Sequence, residues 1–255
     1  MIKRNILKIS HETFHMVWCM VAYSLTPYMA FPHWPVHTMI HVGFRRLTFP
    51  LSHSLVLDQL TAKLRRTKMS VVYFDLETTN RFTTSQIVGL GAIDDQGNEF
   101  HRHIIPTCAI NFMASKIHGI TKVGDGLFYK GEEIEDAMDD PGKALEEFMA
   151  WLEERNCKYL VAHNNYKFDR HVLRHNLSQF AVEEPKNLRY KDSMEFVKEF
   201  KDLRSKALKN CLQYFCGQAQ KEPHDALDDA KACKNICETG AKKLGLRNFK
   251  EYLEQ

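Results

Sequence analysis

Two carboxylates two residues apart on an apolar strand share a face, and Tyr73-Phe74-Asp75-Leu76-Glu77-Thr78-Thr79 places Asp75 and Glu77 in that way. Neighbours of like charge repel unless a cation lies between them, so the pair is either a strand end turning into an acidic loop or part of a metal site. A further acid, Asp169, ends Val161-Ala162-His163-Asn164-Asn165-Tyr166-Lys167-Phe168-Asp169, where a buried strand gives way to a helix. Its ordinary role there would be helix capping. The third segment is Pro223-His224-Asp225-Ala226-Leu227-Asp228-Asp229-Ala230. Ala226, Ala230, Cys233 and Cys237 share one helical face, which starts the helix near Asp225 and leaves His224 on the preceding loop. Asp225 and Asp228 fit an N-cap and its third-position carboxylate. Asp229 falls outside that pattern, near the inward face, with a histidine at the mouth; taken alone it would be an acid favoured by the helix dipole.

The elements that must position these residues begin at Ser70, where short apolar strands start to alternate with amphipathic helices, the pattern of an α/β domain. Ser70–Asp75 reads as a buried strand. Gln86–Asp94 and Glu99–Ile105 read as two more, joined by the turn-forming Asp95-Gln96-Gly97-Asn98. Pro141 opens a helix whose Ala144, Leu145, Phe148, Met149, Trp151 and Leu152 repeat at helical spacing. Lys158–Ala162 is a strand, followed by helices at Asp169–Phe180, Ser193–Phe200, Lys206–Cys216 and Ala226–Lys242, with a short strand near Leu188–Lys191. A mixed sheet with helices on both faces is expected. The acidic run Glu132–Asp140 reads as a solvated loop.

Taken in order, the three segments resemble the DEDDh (DnaQ-like) 3′→5′ exonucleases of the ribonuclease H-like superfamily. The D-x-E motif falls on Asp75 and Glu77, the second motif on Asn164, Phe168 and Asp169, and the His-x4-Asp motif on His224 and Asp229. Ile117-His118-Gly119-Ile120-Thr121 is similar to the family loop that contacts the 3′-terminal nucleotide. The three residues between Asn164 and Phe168 are similar to the spacing in three-prime repair exonucleases and PML-type exonuclease-like domains. Met113 departs from a substrate-contacting Glu found in some members.

This resemblance implies a ribonuclease H-like fold and a two-metal hydrolase using Mg²⁺ or Mn²⁺, which removes nucleoside 5′-monophosphates from nucleic-acid 3′ ends. It implies that Asp75 bridges both ions, that Glu77 and Asp229 complete the site of the ion on the nucleophile side, and that Asp169 supports the cluster. It gives His224 the role of general base. Thr78, Thr79, His118 and Asn164 are implied to bind the terminal nucleotide, with single-stranded DNA favoured over RNA. Lys167, Arg170, Arg174 and His175 either steer phosphates or form a solvated helix face. The rival readings are a catalytically silent nucleic-acid-binding module of the same fold and a nuclease that cuts internally.

The rest of the chain sets limits. Its 255 residues are 44% hydrophobic and 26% charged, with 12 Gly and 8 Pro, which excludes disordered, collagen-like and repeat classes. Residues 1–68 hold nine Lys or Arg against Glu12 and Asp58, net +7, while the remaining 26 basic and 30 acidic residues net −4. The basic balance is therefore not a nucleic-acid footprint of the main domain. Residues 1–68 are expected to be an extension, targeting or disordered; 69–245 the exonuclease domain; and 246–255 a C-terminal tail. Residues 13–44 lack Lys, Arg, Asp and Glu, but His15, Pro27, Pro32, His33 and Pro35 interrupt them, so a membrane span is not expected. The seven cysteines form no disulfide framework, which points to a reducing compartment, and the Cys211/Cys216 and Cys233/Cys237 pairs, which invite a zinc reading, sit in helix-like segments where small core residues are expected instead. That compartment is nuclear or cytoplasmic, or mitochondrial if the leader is a transit peptide.

Overall fold

The structure is a computed structural model and describes residues 69–219 and 224–255. The expected N-terminal extension, residues 1–68, lies outside the described residues. The first strand, β1 (Ser70–Thr78), runs straight through the D-x-E motif, so Asp75 and Glu77 sit on a strand and not in an acidic loop. Next come β2 (Ile87–Asp94) and β3 (Glu99–His103), paired antiparallel in sequence. Asp94 shapes the turn between them, its Oδ1 accepting from the backbone N–H groups of Gln96 and Asn98 at 2.9 and 2.8 Å.

The chain then leaves the sheet for α1 (Phe112–His118) and a three-stranded antiparallel sheet of β4 (Ile120–Val123), β5 (Gly126–Tyr129) and β6 (Glu132–Glu133). The sequence did not reveal these elements. The helix is too short to show a period, and the segment expected to be a loop after Ile117 starts a strand behind Gly119, whose φ of 76° ends α1. Glu132 and Glu133 pair with β5, so the acidic run is not wholly a loop.

The remaining elements are α2 (Pro141–Glu154), β7 (Cys157–Ala162), α3 (Asp169–Gln179), β8 (Arg189–Asp192), α4 (Ser193–Phe196), α5 (Leu208–Cys216), α6 (Ala226–Lys243) and α7 (Phe249–Leu253). A 3-10 turn, Val197–Glu199, extends α4. The main sheet has the order β3-β2-β1-β7-β8, with β7 parallel to β1 and β8 parallel to β7. It is the expected α/β arrangement, a mixed sheet with helices on both faces.

Alternation along β1 divides the core. Val72, Phe74 and Leu76 pack with α2 and α3, through Leu145, Phe148, Leu152, Val172 and Leu173. Val71 and Tyr73 point to the other face and pack with Phe196, Phe215, Ala230, Cys233, Ile236 and Cys237. Because Asp75 and Glu77 continue the Val71–Tyr73 row, they face α6. Residues 246–255, expected as a tail, belong to this layer: Phe249 is buried against Tyr73 and Phe196. Glu238 joins them by accepting from the Tyr73 hydroxyl at 2.9 Å and from the Phe249 N–H at 3.2 Å. Among the described residues no helix is long and apolar enough to cross a membrane.

Candidate active site

Asp75 lies opposite Gly91 on β2, and Glu77 opposite Gly89. The missing side chain at Gly91 is what admits α6: a Cβ there would lie 2.2 Å from Leu227 N and 2.3 Å from the Ala226 carbonyl carbon. The first turn of α6 therefore rests on the backbone of β2 beside Asp75. Asp225 caps that turn, accepting from the N–H groups of Leu227 and Asp228 at 3.1 and 3.0 Å. With the cap supplied by Asp225, Asp229 turns inward, where it is buried.

Asp169 arrives from the other side of the sheet, as the first residue of α3 beyond the carboxyl end of β7. Phe168 occupies the cap position and no side chain caps it, so Asp169 does not take the capping role. It too is buried, and close enough to Asp75 to raise that carboxyl's pKa.

Three of the acids share one electrostatic condition, to which Asp229 contributes its charge. Burial pushes Asp75 well above the ordinary carboxylate range, and Asp169, Asp229 and Glu77 push it further. Burial, then Asp229, Asp225 and Asp169, push Glu77 up to about 9. Burial, with Asp192 and Asp229, pushes Asp169 up to about 7. Such a cluster stays fully charged at neutral pH only with cations among its oxygens.

The donor set fits that requirement. Carboxylate oxygens of Glu77 and Asp229 and a ring nitrogen of His224 all lie within 4.8 Å of one another, a span one divalent ion can bridge, and oxygen-rich sites suit hard cations. His224 sits at φ 67° on the exposed rim. Partial burial, then the charge of Lys209, hold its imidazole below its ordinary pKa and so neutral at pH 7.

These side chains floor a cleft of about 630 Å³ whose wall includes Phe82, Met113 and Ile117, all more than half exposed. The apolar Met113 thus extends a hydrophobic wall. Arg81 is the one Lys or Arg lining the cleft among the described residues.

The expected substrate residues are placed differently from one another. Thr78 and Asn164 line the cleft. Thr79 does not: it is buried under the 79–86 loop, where its hydroxyl oxygen accepts from Gln86 N–H at 3.1 Å. His118 lines the cleft but is fastened on both nitrogens, Nδ1 accepting from Ile120 N–H and Nε2 donating to the Thr78 carbonyl, each at 3.1 Å. No ring N–H or lone pair is left for a nucleotide, and the histidine instead locks α1 to the end of β1.

Three positioning residues were not singled out from the sequence. Gly91 has no local signature for helix contact. Asp192 accepts from Asn164 and Tyr166 N–H groups at 3.0 and 2.9 Å, partners far away in sequence. His163, read only as part of a motif, bridges Ser193 Oγ at 2.7 Å and the Lys206 carbonyl at 2.6 Å.

Comparison with known proteins bears on this geometry. Among solved structures, the family B DNA polymerase from the hyperthermophilic archaeon Pyrobaculum calidifontis is similar over 69% of this chain, at 16% identity and a TM-score of 0.47. This chain covers 24% of that polymerase's length. The comparison with curated proteins finds no match. A family model described as exonuclease matches residues 72–237, well over half of the chain and inclusive of the part of β1, the turn before α3 and the α6 turn that carry the convergent side chains; the chain therefore belongs to the exonuclease family.

Proposed function

We propose that the cleft hydrolyses phosphodiester bonds at nucleic-acid 3′ ends, releasing nucleoside 5′-monophosphates, with a pair of Mg²⁺ or Mn²⁺ ions as cofactors. The observation that carries this reading is the convergence of Asp75, Glu77, Asp169 and Asp229 with His224 beside them, an arrangement whose raised pKa values call for cations. Asp75 would hold both ions, Glu77 and Asp229 the one nearer the attacking water, and Asp169 would complete the cluster. Bound there, divalent cations neutralise charge on the phosphate and stabilise the leaving 3′ oxygen.

The protein side chains supply the rest. His224, kept neutral by partial burial and by Lys209, accepts the proton of the attacking water on a ring nitrogen. Its place on the loop before α6 lets it approach without moving the acids. The Phe82, Met113 and Ile117 wall offers a stacking surface to a terminal base, and Arg81 a cation for its phosphate. Asn164 and Thr78 present polar groups for the sugar.

The test is a time course with Mg²⁺ on 3′-labelled linear single-stranded DNA, duplex DNA and RNA, beside circular and 3′-blocked DNA. Release of labelled mononucleotide from linear strands, with the circle intact, is expected. Cleavage of the circle would make the site an internal nuclease. Binding without cleavage would make it a silent scaffold.

A further inference from the structure

The turn between β7 and α3 is held from several directions at once. The two carboxylate oxygens of Asp192, buried at the end of β8, accept from Asn164 and Tyr166 N–H groups, and Oδ1 also accepts from Met194 N–H at 2.8 Å. Asn165, fully buried, donates its amide to the carbonyls of Leu160 at 3.3 Å and Lys191 at 2.7 Å. With its neighbours pinned, Tyr166 stands outward, 37% exposed, and Lys167 is exposed beside it. Asn164 and Phe168, on either side of this pair, line the cleft. One rigid turn thus carries both a wall of the cleft and an aromatic ring just outside it.

The cations on this side fall into two groups. Arg174 is committed: its Nε and a terminal nitrogen donate to the two carboxylate oxygens of Glu184 at 3.0 and 3.2 Å, and it lies over the Tyr190 ring. Arg170 lies 5.3 Å from the centroid of the Tyr166 ring. Neither Arg170 nor Lys167 forms an ion pair among the described residues.

We infer that Tyr166, Lys167 and Arg170 form the track for the nucleotides upstream of the one being removed, Tyr166 stacking one base and the two cations neutralising backbone phosphates. The inference rests on the proposed function in one respect: a strand whose 3′ end occupies the cleft must leave it over a neighbouring surface. Arg170 covers part of the Tyr166 ring and leaves the exposed remainder to a single base, a contact indifferent to base identity. Two cations without carboxylate partners among the described residues, Arg170 touching only the His171 ring nitrogen at 3.4 Å and the Tyr166 ring, complement a polyanion, and the pinned backbone means that little order has to be gained on binding.

The experiment measures binding by fluorescence anisotropy with the full chain carrying His224→Ala, in Mg²⁺. The probes are a 5′-labelled twelve-residue oligothymidylate and unlabelled thymidine 5′-monophosphate as competitor, the latter filling the cleft alone. Adding Tyr166→Ala should weaken oligonucleotide binding by about 5- to 150-fold, and Tyr166→Phe should restore it, while mononucleotide affinity stays unchanged. Joint replacement Lys167→Gln and Arg170→Gln should reduce the slope of log affinity against log salt by about 1.4, since each phosphate neutralised on a single strand accounts for about 0.7. Unchanged oligonucleotide affinity and salt slope would overturn the inference. So would equal weakening of mononucleotide and oligonucleotide, which would mark the turn as merely structural. If the unmutated chain releases nothing from 3′ ends while these binding effects appear, the proposed function fails and the track stands.

Discussion

Replacing Glu77 by glutamine probes the acid cluster without asking for activity. In the metal-free chain, burial and the neighbouring acids push the Glu77 carboxyl up to about 9. In the unfolded chain it titrates near its ordinary value of about 4.3. A carboxyl raised in this way takes up a proton on folding, so its folded form is unpenalised below the unfolded pKa and loses stability as pH rises toward the folded one. At about 1.4 kcal/mol per unit, the penalty is about 1 kcal/mol at pH 5 and about 3 to 4 kcal/mol at pH 7.

Glutamine has no such proton to gain. The metal-free variant should therefore be more stable than the parent by about 3 kcal/mol at pH 7, which for a domain of this size is about 6–12 °C in Tm, and by much less at pH 5. Mg²⁺ should narrow this gap: the parent gains roughly 2.7 kcal/mol at a hundredfold excess over Kd, whereas the variant, short of one ligand, gains less. Calorimetry at both pH values, in chelator and in Mg²⁺, reads all of this. A Tm difference in chelator that is the same at pH 5 and pH 7 would refute the reasoning, because Glu77 would then not be taking up a proton on folding.

Asp75→Asn should nearly abolish cleavage and weaken Mn²⁺ binding in isothermal titration, whereas His224→Ala should keep the metal and lose roughly 10²- to 10⁴-fold in single-turnover rate. Loss of metal by both variants alike would make His224 a ligand and not a base. In the parent, the rate should rise with pH through a midpoint below about 6.5, since burial and Lys209 disfavour the imidazolium; a midpoint above that value would contradict the assignment. Gly91→Ala forces a methyl group into the backbone of α6 and should cost about 1–3 kcal/mol along with most of the metal affinity. A fully active alanine variant would show that the close approach is not what places Asp229. A chain starting at Thr67 should fold and cleave, because every motif follows Ser70; a monodisperse but inactive product would place part of the site in the first 66 residues.

The main sheet was legible because its strands are long and their alternation clear: Val72, Phe74 and Leu76 separate cleanly from Val71 and Tyr73. The acids were legible because D-x-E and His-x4-Asp are local spacings. Helix α1 and the small sheet were not, since neither shows a periodic apolar face and α1 lines the cleft with Met113 and Ile117 exposed. Position 91 reads as a weak spot in a strand until the Leu227 backbone is seen above it. His118 is the instructive difference: the family resemblance implied a substrate contact, whereas two backbone partners, one of them 40 residues away, take both nitrogens. The tail became a helix because Phe249 finds Tyr73 and Phe196, a pairing that no local window contains.

Glu238, which ties the Tyr73 hydroxyl on β1 to the backbone of α7, also bears on biosynthesis. The ribosome makes Asp75 and Glu77 first, and the surface that covers their face of the sheet draws on α6 and α7, which emerge later. Asp229 cannot join the earlier acids until α6 has left the exit tunnel and docked on Gly91. A nascent chain in which α6 has yet to emerge therefore carries an incomplete set of ligands, with Glu77 made but Asp229 absent. The order of the segments thus postpones completion of the site until α6 has been made and has docked.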